Sequence, residues 1–144
     1  MLKLVELVCS HLLWPAIMSD TTTVTEFLNT YYRTFSTLNV ESIAPFFHEP
    51  CLFVSPQGVM AAPTHDAVKE VFKTIAKDLQ SKGYGRSELT QLNVEGMSAT
   101  TMLATGVAVR FTRDGRELER VGVTYILQKS GNEWRIAVTV IHDA

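Results

Sequence analysis

The amino-acid sequence predicts an α+β domain in which N-terminal helices pack on the concave face of a curved antiparallel meander sheet. Three observations support this prediction. In the first half of the chain, apolar residues recur every three or four positions, as in amphipathic helices. From Arg86 onward they alternate with polar residues, as in strands. Glycine-containing turns at Glu95-Gly96, Asp114-Gly115 and Ser130-Gly131-Asn132 then divide this region into consecutive hairpins.

The composition indicates one globular domain. The chain has 144 residues, of which 46% are hydrophobic, and this is enough for a hydrophobic core. Its 13 basic residues are balanced by 15 acidic residues, so the basic surface needed for nucleic-acid binding is missing. We therefore expect neither a disordered chain nor a nucleic-acid partner.

We expect residues 1–19 to be an N-terminal extension ahead of a single domain over residues 20–144. Their apolar run resembles a signal peptide, but Glu6 and His11 interrupt it and no small-residue cleavage site follows. The run is also too short to cross a bilayer. Two alternatives stay open: Met18 is the natural start, or the extension forms an extra helix that packs on this domain or on a partner. We expect a cytoplasmic protein without membrane association.

The cysteines and histidines do not form a metal-binding pattern. Cys9 and Cys51 lie far apart and outside any C-x-x-C pair, which predicts free thiols. His48 and His65 have no metal-like spacing. The sequence therefore predicts neither a metal site nor a cofactor.

Two long helices and one short helix are predicted before the meander. Thr23 and Glu26 match a capping box at the start of the first helix. Asn39 ends that helix and caps the short helix over residues 40–47, and Thr64 is the N-cap of the second long helix. The apolar faces of the two long helices comprise Val24, Phe27, Leu28, Tyr31, Phe35 and Leu38 in the first, and Val68, Val71, Phe72, Ile75 and Leu79 in the second.

Five strands complete the predicted fold. A short strand over residues 51–55 ends at the turn Pro56-Gln57-Gly58, and the meander occupies about 87–96, 100–112, 117–129 and 133–142. In the last two strands both alternating sets contain apolar residues, so both faces of the sheet should be covered. Helices cover one face, and a second copy of the chain is the simplest cover for the other. This predicts a homodimer through the sheet face.

Two stretches resemble the nuclear-transport-factor-2-like superfamily, in particular its SnoaL-like and ketosteroid-isomerase-like branches. They are FLNTYYRTFSTLNVESIAPFFHEPCLFVSPQGV, where a helix leads through a short helix into a strand, and GVTYILQKSGNEWRIAVTVIHD, which matches the closing hairpin. The resemblance implies a cone-shaped fold with an apolar cavity and dimerisation through the sheet. Such proteins include isomerases, cyclases, dehydratases, epoxide hydrolases and non-catalytic binding modules, so fold does not decide function.

Proton transfer next to a carbonyl requires an acid or base inside the cavity, often a buried carboxylate. No acidic residue lies in the middle of a predicted strand, and none matches the family's buried carboxylate pair. Glu49 and Asp143 are the two carboxylates that could approach the cavity mouth, although solvated positions are the simpler expectation for both. Whether the protein is an enzyme stays open at this stage.

Strand pairing predicts a cationic cluster. Pairing Val107 with Val123 and Val109 with Val121 places Arg110 opposite Arg120. Pairing Ile126 with Ile136 then places Arg120 opposite His142. Neighbouring positive charges favour a carboxylate or phosphate between them. The alternative is a pair of rim arginines that point to water or to nearby acids.

Two functional hypotheses follow. In the first, the protein is a homodimeric cone that binds a small apolar or acidic ligand, with or without turnover by isomerisation, cyclisation or hydration. Its predicted ligand-binding residues are Tyr31, Phe53, Arg110, Arg120 and His142. The first two are included because the first helix and first strand face the sheet, and the other three because they form the predicted cationic cluster. In the second, the domain is a non-catalytic interaction module whose sheet face or N-terminal segment recruits a protein partner.

Overall fold

The computed structural model describes residues 20–144. Residues 20–35 form helix α1, followed by the short helix α2 (Val40–Ile43), a 3₁₀ turn (Ala44–Phe46) and helix α3 (His65–Ser81). The strands are β1 (Phe47–Ser55), β2 (Gly58–Ala62), β3 (Tyr84–Ser98), β4 (Thr101–Thr112), β5 (Glu117–Ser130) and β6 (Glu133–His142). The predicted α+β class, with helices on one face of a curved sheet, is confirmed.

The six strands form one mixed sheet in the order β2-β1-β6-β5-β4-β3. The predicted meander corresponds to β3–β6, whose neighbours are antiparallel. Strand β1 instead lies parallel to β6, so the sheet is not antiparallel throughout. Strand β2 was not expected, because its run of exposed apolar and small residues does not alternate. It pairs with β1 across the predicted turn, where Gly58 adopts a φ of 134°.

The helix caps follow the predicted chemistry at two of three positions. The Thr64 side chain accepts a hydrogen bond from the backbone N–H of Ala67 at the start of α3, and the Asn39 side chain accepts one from Glu41 at the start of α2. The capping box at Thr23 was wrong, because residue 20 is already helical and Thr23 lies inside α1. Asp20 is held by an ion pair to Lys129 on β5, with 3.4 Å between the charged atoms.

The core lies between the two long helices and the concave face of the sheet. Val24 and Leu28 of α1, and Val68 and Leu79 of α3, are at most 1% exposed. Aromatic rings fill the centre, where the Phe47 ring centroid lies 5.6 Å from that of Tyr31 and 5.3 Å from that of Phe72. The predicted apolar helix faces are therefore the buried faces.

The predicted pairing of β4 with β5 was wrong by one residue. Arg110 pairs with Glu119 rather than Arg120, while Ala108 pairs with Val121 and Ala104 with Tyr125. The observed register places the buried side chains of Ala104 and Tyr125 together on the concave face. The predicted one would have turned the Tyr125 ring to the outer face.

The predicted pairing of β5 with β6 was wrong by two residues. Ile126 lies opposite Val138, and a register shift follows before Leu127, which pairs with Ile136. His142 consequently lies opposite Gly122. A bulge of this kind adds a residue to one strand, so alternation alone does not locate it.

Predictions for the extension at residues 1–19, and for Cys9, lie outside the described residues. Within residues 20–144, Cys51 is a free, buried thiol. Burial raises its pKa to about 11, with a smaller contribution from the charge of Glu49. None of the helices in this part of the chain is long and apolar enough to span a membrane.

Candidate ligand-binding cavity

A cavity of about 90 Å³ lies between α1, α3 and the concave face of the sheet. Most of its wall is aromatic or aliphatic, with a few hydroxyl groups and one guanidinium group. The lining residues on the helices are Tyr31, Tyr32, Phe35, Phe72 and Ile75, and those on the strands are Phe53, Ser87, Ala108, Arg110, Val123, Tyr125, Thr139 and Ile141. This arrangement, apolar walls with a small number of polar groups, is typical of small-molecule sites.

Two tyrosines meet in the cavity wall. The hydroxyl oxygens of Tyr32 on α1 and Tyr125 on β5 lie 2.6 Å apart, and both side chains are buried. Burial raises the pKa of Tyr32 to about 12 and that of Tyr125 well above its usual value. Both phenols are therefore neutral at physiological pH. One donates to the other, which leaves one phenolic proton for a ligand oxygen.

Tyr31 stands beside this pair. Its ring meets the Tyr32 ring edge-on at a centroid distance of 5.5 Å and the Tyr125 ring at 6.3 Å. Burial also raises the pKa of Tyr31 well above its usual value. The three phenols thus form a neutral cluster within an apolar wall.

Arg110 contributes the cationic group of the wall. Its side chain on β4 is 20% exposed and forms an ion pair with Glu119 of β5. The guanidinium carbon lies 5.4 Å from the centre of the Phe35 ring, within the range of a cation–π contact. Glu119 balances the charge, so the guanidinium can meet either a neutral carbonyl or a carboxylate.

Thr139 contributes a buried hydroxyl group to the cavity wall. The residue is 7% exposed, lines the cavity, and its hydroxyl has no hydrogen-bond partner among residues 20–144. Burying an unpaired hydroxyl carries a free-energy cost of about 1–3 kcal/mol. A ligand oxygen in the cavity would remove that cost.

The described lining residues include no carboxylate, imidazole, amine or thiol. Glu49 instead accepts a hydrogen bond from the backbone N–H of His65, at an N···O distance of 2.7 Å. Asp143 does not line the cavity, and its carbonyl oxygen lies 2.8 Å from Nδ1 of His142. Residues 20–144 also hold no cluster of three or more potential metal-ligating side chains. The polar side chains of the described cavity wall are therefore hydroxyl groups and one guanidinium group.

Three of the five predicted ligand-binding residues, Tyr31, Phe53 and Arg110, line this cavity together. The other two do not join them, because the predicted register was wrong. Arg120 is exposed and pairs with Glu117, with 2.7 Å between the charged atoms. The ring of His142 lies against Gly122, where an added Cβ would come within 2.4 Å of it.

Tyr32, Tyr125 and Thr139 line the site but are not among the predicted ligand-binding residues. Tyr32 follows Leu28 by four positions, which places both on the buried face of α1. Thr139 is a polar residue between Val138 and Val140 in the last strand, and this interruption of an apolar run is the sequence feature that could have indicated it.

Comparisons with known proteins agree with this fold. A family model described as an NTF2-like protein (DUF6841) matches residues 20–144. An NTF2-like protein of cystatin-like fold from Novosphingobium aromaticivorans is similar, with a TM-score of 0.74 and 14% identity, over 94% of this chain and 86% of that chain. Aln2 from a Streptomyces species superposes with a TM-score of 0.70 and 18% identity, over 83% of this chain and 87% of that chain.

A provisionally assigned scytalone dehydratase from Novosphingobium aromaticivorans is also similar. It has a TM-score of 0.66 and 13% identity, over 86% of this chain and 83% of that chain. At these identities the likenesses show the fold alone. Among curated protein sequences, none is significantly similar to this chain.

Proposed function

This chain belongs to the NTF2-like family, and on that basis we propose that it binds a small, largely apolar molecule carrying a carbonyl or carboxylate oxygen. The observation that carries the proposal is the convergence of hydrogen-bond donors inside an aromatic wall. The Tyr32–Tyr125 pair, Arg110 and the unpartnered Thr139 hydroxyl all line the same cavity.

The chemistry of these donors selects an oxygen acceptor. Neutral phenols and a guanidinium group donate hydrogen bonds, and a carbonyl or carboxylate oxygen can accept several at once. Aromatic rings next to these donors favour an apolar molecular body. The described cavity wall lacks a proton acceptor stronger than a hydroxyl, which supports binding over acid–base turnover.

A homodimer through the outer face of the sheet is a further part of the proposal. Val138 lies on the face opposite the cavity, flanked by its strand neighbours Leu52 and Ile126. These three apolar side chains keep partial exposure, and Leu52 is 40% exposed. A two-fold pairing of this face would remove the apolar surface from water.

Native mass spectrometry of freshly purified full-length protein, followed by denaturing release, tests both parts. We expect a dimer that releases a compound with a carbonyl or carboxylate group. Calorimetry with benzoate and acetophenone then tests the two oxygen types separately. Thr139→Val should weaken binding, while Thr105→Val, the same change on the outer face of β4, should leave it unchanged.

Protein that carries no compound and binds neither benzoate nor acetophenone would overturn the ligand proposal. That result would favour the non-catalytic interaction module instead. The feature that supports such a module is the edge hairpin of β1 and β2, where Val59 and Met60 are 69% and 53% exposed. A monomeric mass spectrum would contradict the dimer through the sheet.

A further inference from the structure

A second, larger concavity lies directly beside the cavity. It is a groove of about 620 Å³ between α3 and the β1–β2 hairpin. Its lining residues are Phe53, Val54, Ser55, Met60, Ala61, Ala67, Glu70, Val71, Thr74, Ile75, Thr139 and Ile141. The groove thus extends from the interior of the domain to its surface, along one side of α3.

The groove and the cavity adjoin. Phe53, Ile75, Thr139 and Ile141 line both spaces, so the two spaces meet at these four residues, which are called the neck below. The unpartnered, nine-tenths buried hydroxyl of Thr139 therefore lies where the two spaces meet. A molecule that fills the cavity and passes the neck would continue into the groove.

The two spaces differ in chemistry. The cavity contains Arg110 and the phenol pair, whereas the floor and inner wall of the groove are apolar, with Met60 and Phe53 as register partners on the same sheet face. Among the described lining residues of the groove, Glu70 is the one with a charge, and its carboxylate is paired with Lys73 at 2.8 Å. Polar donors at the inner end and an apolar outer channel match a molecule with a polar head and an apolar tail.

We propose that the ligand is an elongated amphiphile, with its carbonyl or carboxylate head in the cavity and an unbranched apolar tail that passes the neck at Thr139 and lies in the groove. This inference rests on the proposed function and names the class of ligand that the site takes. The four shared lining residues, with the unpartnered Thr139 hydroxyl among them, are what commit the groove to the tail of the same molecule.

A series of straight-chain carboxylic acids, from butanoic acid to hexadecanoic acid, tests the inference by calorimetry on the full-length protein. Each methylene that enters the groove should increase affinity by about twofold to fourfold, until the groove is full. Butanoate, the shortest acid of the series, measures binding of the head with the least contribution from a tail.

Two neighbouring residues on β2 give a matched pair of variants. Met60 lines the groove and Val59 does not, and both are more than half exposed, so an aspartate should be tolerated at either position. Met60→Asp should lower dodecanoate affinity by about tenfold and leave butanoate affinity unchanged, because a carboxylate then faces the tail. Val59→Asp should change neither. Val71→Asp, on the opposite wall, should repeat the effect of Met60→Asp.

Each negative result has a different consequence for the proposed function and for the amphiphile. Butanoate binding that does not strengthen with chain length would overturn the amphiphile and leave the proposed function standing. Equal effects of Met60→Asp and Val59→Asp would show that the tail does not lie in the groove. A Met60→Asp variant that loses dimerisation but keeps dodecanoate affinity would assign the groove to a second copy. The absence of binding at every length, with benzoate and acetophenone also unbound, would remove the proposed function together with this inference.

Discussion

The hydroxyl groups of Tyr32 and Tyr125 lie 2.6 Å apart, although the two residues are separated by 93 positions in the chain. This hydrogen bond joins the last turn of α1 to the concave face of β5. Because both side chains are buried, each hydroxyl is the partner that prevents the other from being unsatisfied. The pair is therefore structural as well as part of the candidate site.

Removing one of these two hydroxyl groups should lower the free energy of unfolding by more than half of the loss that removing both causes. Tyr32→Phe or Tyr125→Phe leaves a buried hydroxyl unpaired, and each should lower the free energy of unfolding by about 1–3 kcal/mol. In the double variant neither hydroxyl remains, so the loss should be smaller than the sum of the two. Urea denaturation of the four proteins measures this coupling. Strictly additive losses would show that the bond contributes nothing to stability.

Stability should fall at alkaline pH. The buried phenols of Tyr31, Tyr32 and Tyr125 have raised pKa values in the folded protein, so above pH about 10 the unfolded chain loses phenolic protons that the folded chain keeps. Their stabilising contribution is complete below the unfolded pKa and is lost as the pH rises through the folded values. Thermal unfolding between pH 8 and about 12 measures the fall.

Cys51 should account for the earliest part of this alkaline loss. Its pKa rises from 9.0 to about 11 on folding, so its contribution begins to fall about one pH unit before that of the phenols. Cys51→Ala should flatten the profile between about pH 9 and pH 10. The variant should still lose stability steeply above pH about 10, where the phenols titrate. An unchanged profile in this variant would contradict the raised thiol pKa.

Freeing Arg110 from its ion pair should change ligand preference. Glu119→Gln removes the carboxylate that neutralises the guanidinium. Benzoate should then bind about tenfold more tightly, because a charge-assisted hydrogen bond is stronger when the cation is not already paired. Binding of the neutral acetophenone should change by less than about twofold. Calorimetry with both compounds gives the ratio, and an equal gain for the two would contradict a role for Arg110 charge.

The proposed dimer should depend on the outer sheet face. Ile126→Lys places an unpaired charge at the centre of that face and should weaken dimerisation by about a hundredfold. Gln80→Lys adds the same charge on the exposed surface of α3, and should leave the dimer intact. Sedimentation equilibrium measures both. Equal dimer affinity in the two variants would show that the sheet face is not the interface.

Most of the correctly predicted features of the fold follow from local sequence patterns. The apolar stripes of α1 and α3, the cap at Thr64 and the turn at Gly58 each depend on neighbouring residues and were correct. The capping box at Thr23 failed because the same local signature also occurs inside a helix. Strand β2 was missed because an edge strand with four exposed residues has no buried face to impose alternation.

The sequence by itself determined the α+β class and the burial of the helix faces, because periodicity and the order of the elements can be read along the chain. Only the tertiary structure decided which residues meet across strands. A slip of one residue moves a side chain to the other face of the sheet, and the slip depends on packing and bulges between distant segments. For that reason Arg110 pairs with Glu119, and the Tyr32–Tyr125 bond could not be read from the chain.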